Sequence, residues 1–235
     1  MTPRMVTVSV VSHAQNGLVN ALVDDLWRHC SDAIELLLTE NALDATRLAR
    51  SASMVNETPK GFGANHNAAF ERCGTPYFCV CNPDVRLRSD PFPPLLQALQ
   101  QDRAGVVGPL VRRPAGQVED SARRFPTAGS LVRKLFRGSS GPDYPADRGR
   151  LEVDWVAGMF MLFPSDAFRA VGGFDERYFL YYEDVDLCRR LHAAGRRVLY
   201  EPRSEVIHDA RRASRRSPAL AMHHAKSGLR YLLTK

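Results

Sequence analysis

Apolar positions along the chain switch between two periods. Residues 5–11 (MVTVSVV) form a β-branched run, and from Leu18 onward Leu18, Leu22, Val23, Leu26 and Trp27 recur at the spacing of one helix face. Residues 34–38 are a second apolar run, closed by Thr39-Glu40-Asn41, and residues 54–55 are a short third candidate. The glycine-containing turn at 60–67 opens a small helix through Arg72, and 77–81 reads as a buried strand ending in Asn82-Pro83-Asp84. Residues 108–111 read as a further buried strand. Val185, Cys188, Leu191 and His192 then return to helical spacing with Gly195 as a stop, and 198–200 and 205–207 read as two short strands closing on His208. This alternation predicts the α/β class: one domain with a mostly parallel central sheet and helices on both faces. Ligands of such sheets bind at the carboxyl ends of the strands, where Ser12, Glu40 and Asp84 fall.

Composition narrows the class. The 235 residues are 44% hydrophobic and 25% charged, ordinary for one soluble α/β domain. The apolar runs are shorter than the roughly 20 residues of a membrane span, and MTPRMVTVSV lacks a signal-peptide pattern, so a cytoplasmic protein is expected. Five cysteines (Cys30, Cys73, Cys79, Cys81, Cys188) show no zinc spacing and are expected as reduced thiols. The net charge of +6 favours anionic partners. Its basic residues gather at 112–137 and 211–216 without aromatics interleaved as a nucleic-acid stacking platform needs, which makes nucleic acid the weaker option. Near the end, Leu220, His223, His224, Ser227, Tyr231 and Leu232 form an irregular stripe that fits either a packed terminal helix or one lying on an anionic membrane. Nothing in the pattern shows a homodimer, although exposed apolar surface would permit one.

Chemistry concentrates at four places. Glu183, Asp184 and Asp186 fall in the first turn of a predicted helix, where free N–H groups and the helix dipole favour the ionised form. That suits a proton acceptor, and it equally suits ordinary capping. Asp84 ends a buried strand, a costly place for a carboxylate without a metal, water or hydrogen bond. Gly61 and Gly63 allow a tight turn and close approach to a ligand, with Asn67 offering donor and acceptor. His208 ends the last short strand.

GGFDERYFLYYEDVDLCRRLHAAGRRVLYEP followed by VIH, together with GFGANHNAAF and FCVCNPDVRL, resembles the family 2 inverting glycosyltransferases of the GT-A (Rossmann-like) fold, most closely their bacterial rhamnosyltransferase branch. The resemblance implies a nucleotide-sugar-binding half at 1–108, an acceptor-binding and catalytic half at 109–208, and a basic tail at 209–235. It implies Asp184 as the base, with Glu183 its neighbour and less favoured alternative, and Asp84 and His208 as ligands of Mn²⁺ or Mg²⁺. Ser12, His13, Glu40, Gly63, Asn67, Asn82 and Asp84 would face the nucleotide-sugar donor, and Trp155 and Gly158 the acceptor. The implied donor is dTDP-L-rhamnose or another UDP- or dTDP-sugar, and the implied acceptor a cell-surface polysaccharide or lipid-linked saccharide. Three positions depart from the family pattern: Asn82 replaces the first acid of the metal motif, Glu40 an aspartate, and Pro59 an asparagine. A nucleotidyltransferase would carry a phosphate-cradling loop after the first strand, and residues 12–17 are not one. A non-catalytic nucleotide-sugar-binding scaffold and a basic membrane-associated module remain open alternatives.

Overall fold

The computed structural model describes residues 4–30, 34–100, 103–127, 129, 142–145, 148–209 and 218–234. Its sheet is built on β1 (Val6–His13), β2 (Ile34–Ala42), β4 (Tyr77–Cys81), β6 (Ala104–Arg112) and β11 (Arg197–His208). The short strands β3 (Met54–Val55), β5 (Val85–Arg86) and β8 (Leu151–Glu152) and the antiparallel β10 (Phe160–Pro164) complete it. The order is β3-β2-β1-β4-β10-β6-β11-β5, with β8 on β11. Neighbours β3, β2, β1 and β4 run parallel, as do β6 and β11, while β10 is antiparallel to both β4 and β6.

Strand alternation divides the core between two faces. Cys79, Cys81, Phe160 and Leu162 join Leu22, Leu26 and Leu95 of α1 (Asn16–Cys30) and α3 (Phe92–Leu99) on one face. Phe78, Val80, Met161 and Phe163 join the other face, with α2 (Phe62–Phe70), α4 (Ser165–Ala170) and α5 (Glu183–Ala193) supplying Phe70, Phe168, Leu187 and Leu191. The last helix, α6 (Pro218–Leu233), packs Tyr231 on this second face. Asp25 of α1 accepts both Nε and Nη2 of Arg86 and the Leu87 N–H, which fixes β5 beside the end of β4.

Four elements differ from the sequence expectation. Residues 198–200 and 205–207 belong to one strand, β11, whose register slips between Glu201 and Glu205 to pass Pro202. β10 inserts an antiparallel strand into the parallel run. Helices α3 and α4 stand where the sequence reading places no element, although α3 buries Phe92, Leu95, Ala98 and Leu99 at helical spacing. The five cysteines are free. Most of the loop candidate at 126–142, and the basic residues Arg133, Lys134, Arg137 and those at 211–216, lie outside the described residues. Among the described residues no helix is long and apolar enough to cross a membrane.

Candidate active site

The end of β4 turns sharply: Val85 N–H returns to the Asn82 carbonyl, and β5 then pairs with the end of β11, setting Val85 opposite His208. The result is a corner in which His208 Nε2 lies 3.3 Å from Asp84 Oδ2 and His208 Nδ1 donates to Glu119 Oε2 at 2.8 Å. Burial alone would lower the pKa of His208, but hydrogen bonds to Asp84 and Glu119 and the charges of both carboxylates outweigh it and raise the pKa to about 9. Asp84 Oδ1 is buried and has no partner. Among the described residues no group of three or more His, Cys, Asp or Glu side chains is set to hold a metal, so Asp84 and His208 supply at most two protein ligands.

The acidic cluster lies at the start of α5, and the chain enters it through two left-handed residues, Tyr181 (φ 70°) and Tyr182 (φ 68°). Aromatic residues rarely adopt this conformation, which costs about 1–3 kcal/mol each and persists only where packing imposes it. Here α6 imposes it: Ser227 Oγ donates to the Leu180 carbonyl at 2.8 Å, and Tyr182 is held among His224, Tyr231 and the bare backbone of Gly228. Glu183 is 5% exposed, and its Oε2 has no partner. Asp184 is half-buried and accepts the Gly158 N–H at 2.9 Å.

The expectation that the helix start keeps both acids ionised is corrected by burial. Desolvation pushes Glu183 well above the carboxylate range, with the neighbouring Asp184 charge adding to it. Burial raises Asp184 as well, opposed by the N–H groups of Gly158 and Val185 and by the Arg123 charge. Burial thus disfavours charge on both acids, and the N–H groups of Gly158 and Val185 favour the charge that remains at Asp184. Asp186 is spent on structure: it pairs with Arg189 at 2.9 Å and Arg190 at 2.7 Å, and Arg190 in turn holds the carbonyls of Val171 and Gly173.

One dipeptide joins the two acidic sites. Gly158 donates to Asp184, and the carbonyl of the next residue, Met159, accepts the Asn82 N–H at 2.9 Å. A Cβ at Gly158 would lie 3.4 Å from the Phe62 ring and 3.5 Å from Asp184 Oδ2, in ordinary van der Waals contact with both. Upstream, β7 (Ala122–Arg123) pairs with β9 (Trp155–Val156). The Trp155 ring is only 9% exposed, donates Nε1–H to the Arg124 carbonyl and sits under the Arg123 guanidinium, so it forms a wall more than an open platform.

At the nucleotide end several expected donor contacts are spent within the protein. The Ser12 hydroxyl donates to Asn16 Oδ1, and Asn16 Nδ2 donates to Glu40 Oε1 at 2.9 Å. Asn41, which the sequence marks only as the close of the second strand, donates to His13 Nδ1 and the Lys60 carbonyl and accepts from Lys60 N–H and Asn56. Asn67 uses both ends of its amide on the backbone of Phe174. The glycine turn approaches protein rather than ligand: a Cβ at Gly63 would lie 2.6 Å from Phe174 Cβ, and one at Gly61 would lie 2.8 Å from the Phe179 carbonyl oxygen. Gly63→Ala is therefore expected to destabilise the fold by about 1–3 kcal/mol, checked by denaturant unfolding, through forced separation of α2 from the segment leading to Glu183. His13 is exposed and Asn82 and Asp84 are half-buried, at the carboxyl ends of β1 and β4.

The family model described as glycosyltransferase-like family 2 matches residues 4–224. An N-acetylglucosaminyl-diphospho-decaprenol L-rhamnosyltransferase of Mycobacterium tuberculosis (strain H37Rv) is 40% identical over 185 residues, covering 72% of this chain; the chain spans 59% of that relative's own length. Rhamnosyltransferase WbbL of Escherichia coli K12 is 29% identical over 98% of this chain and 94% of its own. Among solved structures, GalNAc-T7 with UDP, GalNAc and Mn²⁺ superposes with a TM-score of 0.65 at 13% identity over 88% of this chain and 43% of its own. The mannosyltransferase PcManGT of Pyrobaculum calidifontis, with GDP-Man and Mn²⁺, gives 0.63 at 16% identity over 97% of this chain and 65% of its own. At these identities the likeness is one of fold, and the fold is that of the GT-A glycosyltransferases.

Proposed function

Since the chain belongs to the glycosyltransferase-like family 2, we propose that it is an inverting sugar transferase that moves L-rhamnose from a dTDP-activated donor to a lipid-linked saccharide. The observation that carries this reading is the Gly158-Met159 bridge. It fixes a single charged carboxylate, Asp184, relative to the Asn82-Pro83-Asp84 turn through two backbone hydrogen bonds. The rhamnosyltransferase names of the two relatives support the sugar, and the lipid diphosphate in the first name supports the acceptor.

The residues of the corner fit a divalent cation. Two ligands about 2.1 Å from one ion at a right angle stand about 3 Å apart, close to the 3.3 Å between His208 Nε2 and Asp84 Oδ2. Asp84 Oδ1, buried without a partner, offers a further oxygen. Carboxylate, imidazole and phosphate oxygens together suit Mn²⁺ somewhat better than Mg²⁺. When bound, the cation would neutralise charge on the departing diphosphate. With Asn82 in place of a second acid, donor phosphate oxygens must complete the ligand set. Asp184 accepts the proton of the acceptor hydroxyl as that oxygen attacks the anomeric carbon from the face opposite the diphosphate, and inversion follows. Neutral Glu183 beside it adds no competing charge.

The membrane is the source of a lipid-linked acceptor, and α6 has the surface to meet it. Met222 (69%), Leu229 (60%) and Leu233 (74%) are exposed along one face, with Lys226 between them and no acidic residue in the helix. Wild-type protein is expected to float with anionic phospholipid vesicles, and Met222→Ser/Leu229→Ser/Leu233→Ser to lose most of that binding. Unchanged flotation removes α6 from the membrane face.

The donor is tested by thermal shift with Mn²⁺ or Mg²⁺ against dTDP-rhamnose, UDP-glucose, UDP-galactose and UDP-N-acetylglucosamine. Selective, metal-dependent stabilisation by dTDP-rhamnose is the expected result. No stabilisation by any nucleotide sugar under either metal favours the basic membrane-associated module.

A further inference from the structure

Glu119 lies in a polar turn-rich stretch between β6 and β7, 89 residues from His208 in sequence, yet its carboxylate meets His208 Nδ1 at 2.8 Å. Its backbone is fixed: Glu119 N–H donates to the Val111 carbonyl at 2.8 Å, and Val118 bridges to Arg112. Two residues later the Ser121 carbonyl accepts the Ala157 N–H, immediately before Gly158. Both histidine nitrogens are thus spoken for by geometry. An imidazole that donates Nδ1–H to a carboxylate presents its lone pair at Nε2, and Nε2 is the atom turned toward Asp84.

We propose that Glu119 is a positioning residue for the cation site: it orients His208 and fixes its tautomer so that Nε2 is offered beside Asp84 to the divalent ion. This rests on the metal-dependent reading given above. Glu119 does not touch the donor or the reacting hydroxyl in this account. It acts through His208, as carboxylates behind metal-bound histidines do elsewhere. The stretch that carries it also forms β7, so the ring is aimed by the same segment that lines the Asp184 side through Arg123 and Trp155.

The test is a Mn²⁺ titration followed by electron paramagnetic resonance of the free ion, with saturating dTDP, on wild type, Glu119→Ala, Glu119→Gln and His208→Ala. A melting curve of each metal-free protein runs alongside. Glu119→Ala is expected to weaken Mn²⁺ binding by about 10–100-fold. Glu119→Gln, whose amide oxygen can still accept from Nδ1–H, is expected to lose less, and the loss should not track the change in melting temperature. Wild-type Mn²⁺ affinity in Glu119→Ala, with His208→Ala impaired, overturns the proposal alone. So does a loss in both Glu119 variants that simply follows their melting temperatures. Failure of wild type to bind Mn²⁺ with dTDP overturns the metal reading and takes this proposal with it.

Discussion

Asp184→Asn is expected to lower turnover by about 10²–10⁴-fold, the usual contribution of a positioned general base, while donor-induced stabilisation remains. Asn keeps the shape and can still accept the Gly158 N–H, but it cannot take a proton. Glu183→Gln is expected to stay within about tenfold of wild type, because burial favours the neutral form of Glu183 and Gln closely mimics a neutral acid. The pair of variants separates two adjacent acids that spacing leaves equivalent. The pH profile gives an independent check. Asp184 must be ionised to act and its pKa is raised by burial, so kcat/KM should climb with pH through a value above the ordinary aspartate range. A large loss in Glu183→Gln with Asp184→Asn active would reverse the assignment.

Asp84→Ala is expected to abolish the metal-dependent part of donor stabilisation, a loss on the order of 10²-fold in affinity, or about 2.7 kcal/mol. The carboxylate faces His208 Nε2 in the corner, and with Asn82 as neighbour no second acid of the motif can compensate. Metal-free nucleotide binding should persist, since His13 and the Asn41 network lie at the ends of other strands. Thermal shift with dTDP, with and without Mn²⁺, measures both parts. Equal metal-dependent stabilisation in Asp84→Ala and wild type would move the cation elsewhere.

Much of the fold was legible because its signals are local. The runs at 5–11, 34–38 and 77–81 are apolar enough to be strands, and each is followed by a polar residue, Ser12, Thr39 and Asn82. The antiparallel β10 was not legible: FMLF is buried on both faces, and nothing in a doubly buried run shows its direction. The spacing places helix α5 but not the charge state of its acids, because the burial of Glu183 and the left-handed tyrosines before it are set by the fold and not by any local preference. Gly63 and Asn67 were read as ligand contacts because glycine and asparagine suit close approach. The structure shows a protein segment making that approach, more than 100 residues downstream. Glu119 was invisible for the converse reason: in RRPAGQVED a carboxylate reads as a solvated turn, and only the fold brings His208 to it.

The central claim is that Asp184 directs inverting transfer from a donor held at the Asp84 corner. The most direct measurement combines dTDP-rhamnose, Mn²⁺ and an N-acetylglucosaminyl-diphospho-lipid acceptor. It follows dTDP release and assigns the anomeric configuration of the product by NMR, for wild type and Asp184→Asn. The account predicts a product of configuration opposite to the donor and release that collapses in Asp184→Asn. A product that retains the donor configuration, or undiminished transfer in Asp184→Asn, would contradict it.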